Sequence, residues 1–113
     1  MDPLKIKATR TSGPEAKIQT AITKKLESLS WVVVPTHGNE FQMGLPDLYC
    51  AHKRYGTRWV EVKNPLAYSF TPAQLDLFPQ LTAAGVGIWI LISDSDWEYN
   101  KLFSAPNWYT YLK

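Results

Sequence analysis

Asp47, Glu61 and Lys63 are the side chains of this sequence best suited to chemistry on a phosphodiester. Two converging carboxylates offer the hard oxygen ligands that Mg²⁺ prefers, leaving its other positions to water and a substrate phosphate. A lysine beside them adds positive charge where negative charge builds up during attack on phosphorus. The spacing makes convergence plausible on geometric grounds. Glu61 and Lys63 are two apart in the apolar run 58–63, so in a strand they leave the same face, while Val60 and Val62 turn toward the core. Asp47 stands at the entrance of a second apolar run, 48–52, joined to the first by the turn 53–57 around Gly56. Such a hairpin sets all three heads at one rim of a sheet. Glu-x-Lys by itself is extremely common and points to a surface ion pair. Gly44-Leu45-Pro46-Asp47 followed at hairpin distance by Glu61-Val62-Lys63 is the rarer pattern.

The flanking segments supply the elements that hold this hairpin. Residues 1–11 are polar and basic without a period, as expected of a mobile arm. Ser12-Gly13-Pro14-Glu15 predicts a helix start, with Pro in the first turn and a capping-box spacing from Ser12 to Glu15. Ile18, Ala21, Ile22, Leu26 and Leu29 then mark one buried face of a helix ending near Ser28 or Leu29. Residues 31–34 form a β-branched strand that Pro35 is expected to stop, and 36–45 form a polar loop containing His37. After a connection over 64–70, Thr71-Pro72-Ala73-Gln74 predicts a second capped helix, with Leu75, Phe78 and Leu81 in period, Pro79 inside it and Gly85 at its end. The apolar run 86–92 has the composition of a central strand buried on both faces. The aromatic stretch 93–113 is expected to give one or two short helices covering a sheet face. The expected fold class is α/β (α+β): one domain over 1–113, a mixed central sheet flanked by helices, in the order α-β-β-β-α-β.

Composition is compatible with this fold and narrows the compartment. A length of 113 residues, 45% hydrophobic and 19% charged, suits one domain with a modest core. Cys50 is alone and lies in an apolar run, which argues for a reducing, cytoplasmic setting and an inert core thiol. No apolar run is long enough to span a bilayer, so no membrane partner is expected. The net charge of +2 hides an asymmetry: residues 1–63 carry ten Lys/Arg against six Asp/Glu, whereas 64–113 carry two against four. Lys17, Lys24, Lys53 and Arg54 are candidates for phosphate contacts, with an ordinary solvated surface as the plain alternative. Five Trp and six Tyr are many for this length and suit a core, an interface or a base-stacking surface.

Gly44-x-Pro46-Asp47-Leu48 before Trp59-Val60-Glu61-Val62-Lys63 resembles the signature of the PD-(D/E)XK nuclease superfamily and, within it, the VRR-NUC family. The Val-Arg-Arg tripeptide that names the family is absent, and the chain looks like the stand-alone phage or bacterial type. The resemblance implies a restriction-endonuclease-like core and a Mg²⁺- or Mn²⁺-dependent endonuclease that leaves 5′-phosphate and 3′-hydroxyl ends on DNA. By the same resemblance Glu15, Asp47, Glu61 and the Val62 carbonyl would hold metal, Lys63 would assist the attacking water, and Gln74 would position it. Glu15 and Gln74 each have a second reading as capping residues, and Gln19 is a supporting candidate one turn beyond Glu15. His37 is a candidate on the substrate side, and His52 a structural residue. Branched DNA such as a Holliday junction, and a homodimer to cut it, are likewise implied. The alternatives are a nuclease acting on ordinary duplex or flap DNA, a catalytically silent nucleic-acid-binding module, and a protein-interaction subunit with a fortuitous motif.

Overall fold

A computed structural model of the chain describes residues 13–36 and 44–112. The basic arm, Ser12 and His37 lie outside the described residues. The first helix, α1 (Pro14–Ser28), turns its apolar stripe inward, so that Ile22 and Leu26 are buried. Four strands follow the expected order: β1 (Val32–Pro35), β2 (Leu48–His52), β3 (Gly56–Val62) and, after α2 (Pro72–Ala83), β4 (Ile88–Leu91). They form one mixed sheet in the order β1-β2-β3-β4. β1, β2 and β3 run antiparallel, with Leu48 opposite Val60 and Tyr49 opposite Trp59, while β4 lies parallel to β3.

Alternation along the strands divides the core in two. Leu48, Cys50, Val60 and Val62 meet Ile22 and Leu26 on the α1 side of the sheet. Ile88 and Ile90 pack with Phe78 of α2 and with Trp108, joined by Trp59 and Phe70. Cys50 is buried, and burial pushes its thiol up to about 12, so it is inert as expected of a core cysteine. Among the described residues, no helix is long and apolar enough to cross a membrane.

Four expectations need correction. The capping residue of α1 is Gly13, which offers no side-chain bond, and Pro14 takes the first helical position. Glu15 is therefore not the third residue of a capping box. β1 is displaced by one residue: Trp31 is buried ahead of it and donates to the Tyr99 hydroxyl at 3.1 Å, while Pro35 closes the strand instead of preventing it. Among the described residues β1 pairs on one side only, and such a strand tolerates a proline. β3 starts at Gly56, two residues earlier than expected, and leaves only 53–55 in the turn.

The largest departure concerns β4, which is an edge strand and not a central one. Its apolar sequence comes from packing on both faces, and the C-terminal segment covers its outer rim. Asn107 donates its N–H to the Ile88 carbonyl at 3.3 Å and accepts the Ile90 N–H on Oδ1 at 2.7 Å. The buried Glu98 carboxylate accepts the Ile92 N–H at 2.9 Å. Glu98 lies on α3 (Asp96–Asn100), which leads into a short 3-10 turn, Lys101–Phe103, and later a second, Trp108–Tyr111. Leu102 enters one core and Trp108 the other, so these short helices wrap the edge as well as a face.

Candidate active site

The site forms where the β2–β3 ladder runs out. Beyond the Leu48–Val60 pair, side chains replace backbone partners: Asp47 N–H donates to Glu61 Oε1 at 3.1 Å, and Val62 N–H donates to Asp47 Oδ2 at 2.7 Å. Each carboxylate is thereby locked onto the neighbouring strand. Gly44 lets the chain reach this position. Its φ is +88°, and a Cβ there would come within 2.8 Å of the Ala73 carbonyl oxygen at the start of α2. Thr36 fixes the other side, donating its N–H to the Asp47 carbonyl at 2.9 Å and its hydroxyl to that of Pro46.

Glu61 and Lys63 share a face as expected, but they do not emerge into solvent. Asp47 and Glu61 are fully buried and Lys63 is 4% exposed. Lys63 Nζ lies 2.9 Å from Glu61 Oε2, donates to the Ser69 carbonyl at 2.8 Å and to Gln74 Oε1 at 3.2 Å, and stands 4.6 Å above the Phe70 ring. Gln74 completes the arrangement by donating from Nε2 to Glu61 Oε2 at 2.7 Å. The two readings of Gln74 prove compatible. Its Oε1 also accepts the Thr71 N–H at 3.0 Å, while Thr71 Oγ1 accepts the Gln74 N–H at 3.1 Å. One amide is at once helix cap and site residue.

The residues present fit a divalent cation. Carboxylate oxygens of Glu15, Asp47 and Glu61 lie within 4.8 Å of one another, a cluster of hard donors. Burial first, and the Asp47 charge second, push the Glu61 carboxyl from 4.5 up to about 8, against the opposing pull of Lys63 and Gln74. Lys63 does not offset burial and the Asp47 charge together, and a bound cation would favour the ionised carboxylate.

The remaining candidates are scattered. Gln19 is buried one turn beyond Glu15 on α1. Lys17 and Lys24 are exposed on the same helix, and Lys24 helps line a cleft of about 230 Å³ between α1 and Pro35. Lys53 and Arg54 sit at the far tip of the hairpin, about 20 Å from Asp47 at 3.4 Å per strand residue. His52 is structural, accepting the Arg54 N–H on Nδ1 at 3.0 Å. Val62 contributes its N–H to Asp47. Ser69 and Phe70 lie in the connection expected over 64–70 and hold Lys63, a role that the sequence does not announce. Only the closeness of an aromatic residue to the lysine hinted at this.

A solved structure described as a VRR_NUC domain aligns with this chain at a TM-score of 0.65, covering 82% of this chain and 98% of that one at 21% identity. The chain has the VRR_NUC fold. No family model matches the sequence, and no curated protein matches it. Within the VRR_NUC fold, the three carboxylates and Lys63 gather at the rim where β2, β3, α1 and α2 meet.

Proposed function

We propose that this protein is a divalent-metal-dependent endonuclease that hydrolyses DNA phosphodiesters. The observation that carries the reading is the meeting of Glu15, Asp47 and Glu61 within 4.8 Å, with the Lys63 ammonium 2.9 Å from Glu61. Glu15, Asp47 and Glu61 would hold Mg²⁺ or Mn²⁺, with the Val62 carbonyl as a further ligand by family resemblance. When bound, the metal supplies Lewis acidity toward water and phosphate. Lys63 contributes a fixed positive charge beside the point of attack. Its contacts with Ser69, Phe70 and Gln74 hold the ammonium in place before substrate arrives, so little reorganisation is needed. Gln74 orients Glu61 and Lys63 together, and it is the residue in this chain best placed to position water.

In this reading 1–113 is one cytoplasmic nuclease domain with phage or bacterial relatives. The preferred substrate is branched DNA such as a four-way junction, cut by a homodimer that presents two equivalent sites to two equivalent strands. β1 supports the dimer: among the described residues it pairs with β2 alone, and Val32 and Val34, on one face of it, are 64% and 47% exposed. Lys17 and Lys24, His37, Lys53 and Arg54 are the proposed DNA contacts. A second reading, a nucleic-acid-binding module without turnover, draws on the complete burial of Asp47 and Glu61 and their bonds to backbone N–H groups. Duplex, flap, splayed and four-way DNA incubated with Mg²⁺, with Mn²⁺ and with EDTA separates the two. The enzyme reading expects metal-dependent nicking that Asp47→Ala and Lys63→Ala abolish. Binding without nicking under every metal favours the silent module, and nicking that survives EDTA removes the metal mechanism.

A further inference from the structure

The tip of the β2–β3 hairpin, at the other end of the strands from the carboxylates, carries a cluster of rings of which only Trp31 belongs to a core. Tyr55 lies 4.5 Å from His52 and 4.9 Å from Phe103 between ring centroids, and nearly parallel to Trp31 at 6.2 Å and 25°. Trp31 is 3% exposed and anchors the group, whereas Tyr55 and Phe103 remain 40% and 45% exposed. Arg58 fixes the geometry: its Nε donates to the Leu102 carbonyl at 2.8 Å, tying the 3-10 turn that carries Phe103 to β3. Along the hairpin itself the charge has one sign. From Tyr49 to Val60 the chain holds Lys53, Arg54 and Arg58 and no Asp or Glu. Among the described residues Lys53 and Arg54 pair with no carboxylate, and the Arg54 guanidinium stands 5.8 Å over the Tyr55 ring.

A ring cluster that served only as core would be covered. Half-exposed aromatic rings on a rigid support, flanked by unpaired cations, are what an unpaired nucleotide strand requires: rings stack on bases and cations follow the phosphates. Base-paired duplex cannot use the rings, because its base faces are already stacked on one another. We propose that the hairpin tip is a second nucleic-acid contact, a stacking step for an unpaired strand, standing about 20 Å from Asp47 at 3.4 Å per strand residue. It deepens the nuclease reading, on which it rests for the identity of the polymer. A strand leaving a branch point would be held at the tip while the duplex is cut at the opposite rim.

Fluorescence anisotropy in EDTA, with labelled oligothymidylate and a duplex of equal length, tests this without any cleavage. Wild-type protein is expected to hold oligothymidylate, and Tyr55→Ala to weaken it about tenfold. Tyr55→Trp should recover the affinity to within about twofold. Lys53→Ala with Arg54→Ala, both on the surface and neutral for folding, should flatten the salt dependence by a slope of about 1.4. The proposal fails if folded Tyr55→Ala binds oligothymidylate as tightly as wild type, or if the double lysine–arginine variant keeps the full salt slope. Ring-dependent binding with no nicking under any metal leaves this contact standing and removes the nuclease reading. Nicking without ring dependence does the reverse.

Discussion

Asp47→Asn is the substitution whose effect can be worked out furthest. In metal-free protein, burial and the Asp47 charge raise the Glu61 carboxyl from 4.5 to about 8. The folded state then binds that proton more tightly than the unfolded state does. The Glu61 contribution to stability is therefore greatest below about pH 4.5, falls as pH rises toward 8, and is flat beyond, with a total loss on the order of 5 kcal/mol. Burial is the larger cause and remains in the variant. Taken at 4.8 Å, the outer limit of their separation, two unit charges at an effective dielectric near 20 put the Asp47 contribution at about 3 kcal/mol or more. Asparagine keeps an oxygen to accept the Val62 N–H, so most of the local frame survives. Allowing about 1 kcal/mol for the weaker acceptor, the variant should gain about 2 kcal/mol over wild type at pH 9 in EDTA. That gain raises the melting temperature by roughly 8 °C. At pH 5, where Glu61 is neutral and the repulsion is gone, the weaker acceptor alone remains and the variant should be about 1 kcal/mol less stable than wild type. Thermal unfolding followed by circular dichroism from pH 5 to 9 reads both limits, and groups common to the two proteins cancel in the difference. A variant less stable than wild type at pH 9, or an unchanged pH slope, would refute the idea that crowded negative charge strains this site.

Metal addition should act in the opposite sense. At a concentration near a hundred times its dissociation constant, Mg²⁺ or Mn²⁺ should stabilise wild type by about 2.7 kcal/mol and leave Glu61→Ala unmoved, as scanning fluorimetry would report. Gln74→Ala removes a cap and a site contact together, whereas Thr71→Ala removes the cap alone. Both should lose about 1 kcal/mol of stability in denaturant titrations, but only Gln74→Ala should depress cleavage more than tenfold. Gly44→Ala drives a Cβ against the Ala73 carbonyl at positive φ, so a loss of at least about 2 kcal/mol is expected, together with loss of metal-induced stabilisation.

Much of this was legible in the sequence because the signals were local. Thr71-x-x-Gln74 encodes its own capping box, and the heads of Glu61 and Lys63 follow from the two-residue period of a strand. Three features were not legible, each for want of a local signal. The rim position of β4 depends on Asn107 and Glu98, polar residues from a segment without periodicity. The capping of α1 turned on Gly13 taking the boundary ahead of Pro14, which sequence spacing alone did not separate from a Ser12 cap. The depth at which Glu61 and Lys63 are buried depends on Phe70 and α2 closing over them, a tertiary fact that no pattern in 58–63 contains.

The shared amide of Gln74 ties readiness for reaction to a helix end. Helix ends are where native proteins open first, at free energies well below that of global unfolding. Each time the opening turn of α2 frays, Glu61 and Lys63 lose their common tether within the same event. The fraction of molecules poised to act at any instant is thus set by the local opening equilibrium of residues 71–74. Under the proposed function, turnover should fall as hydrogen exchange at the Gln74 amide quickens.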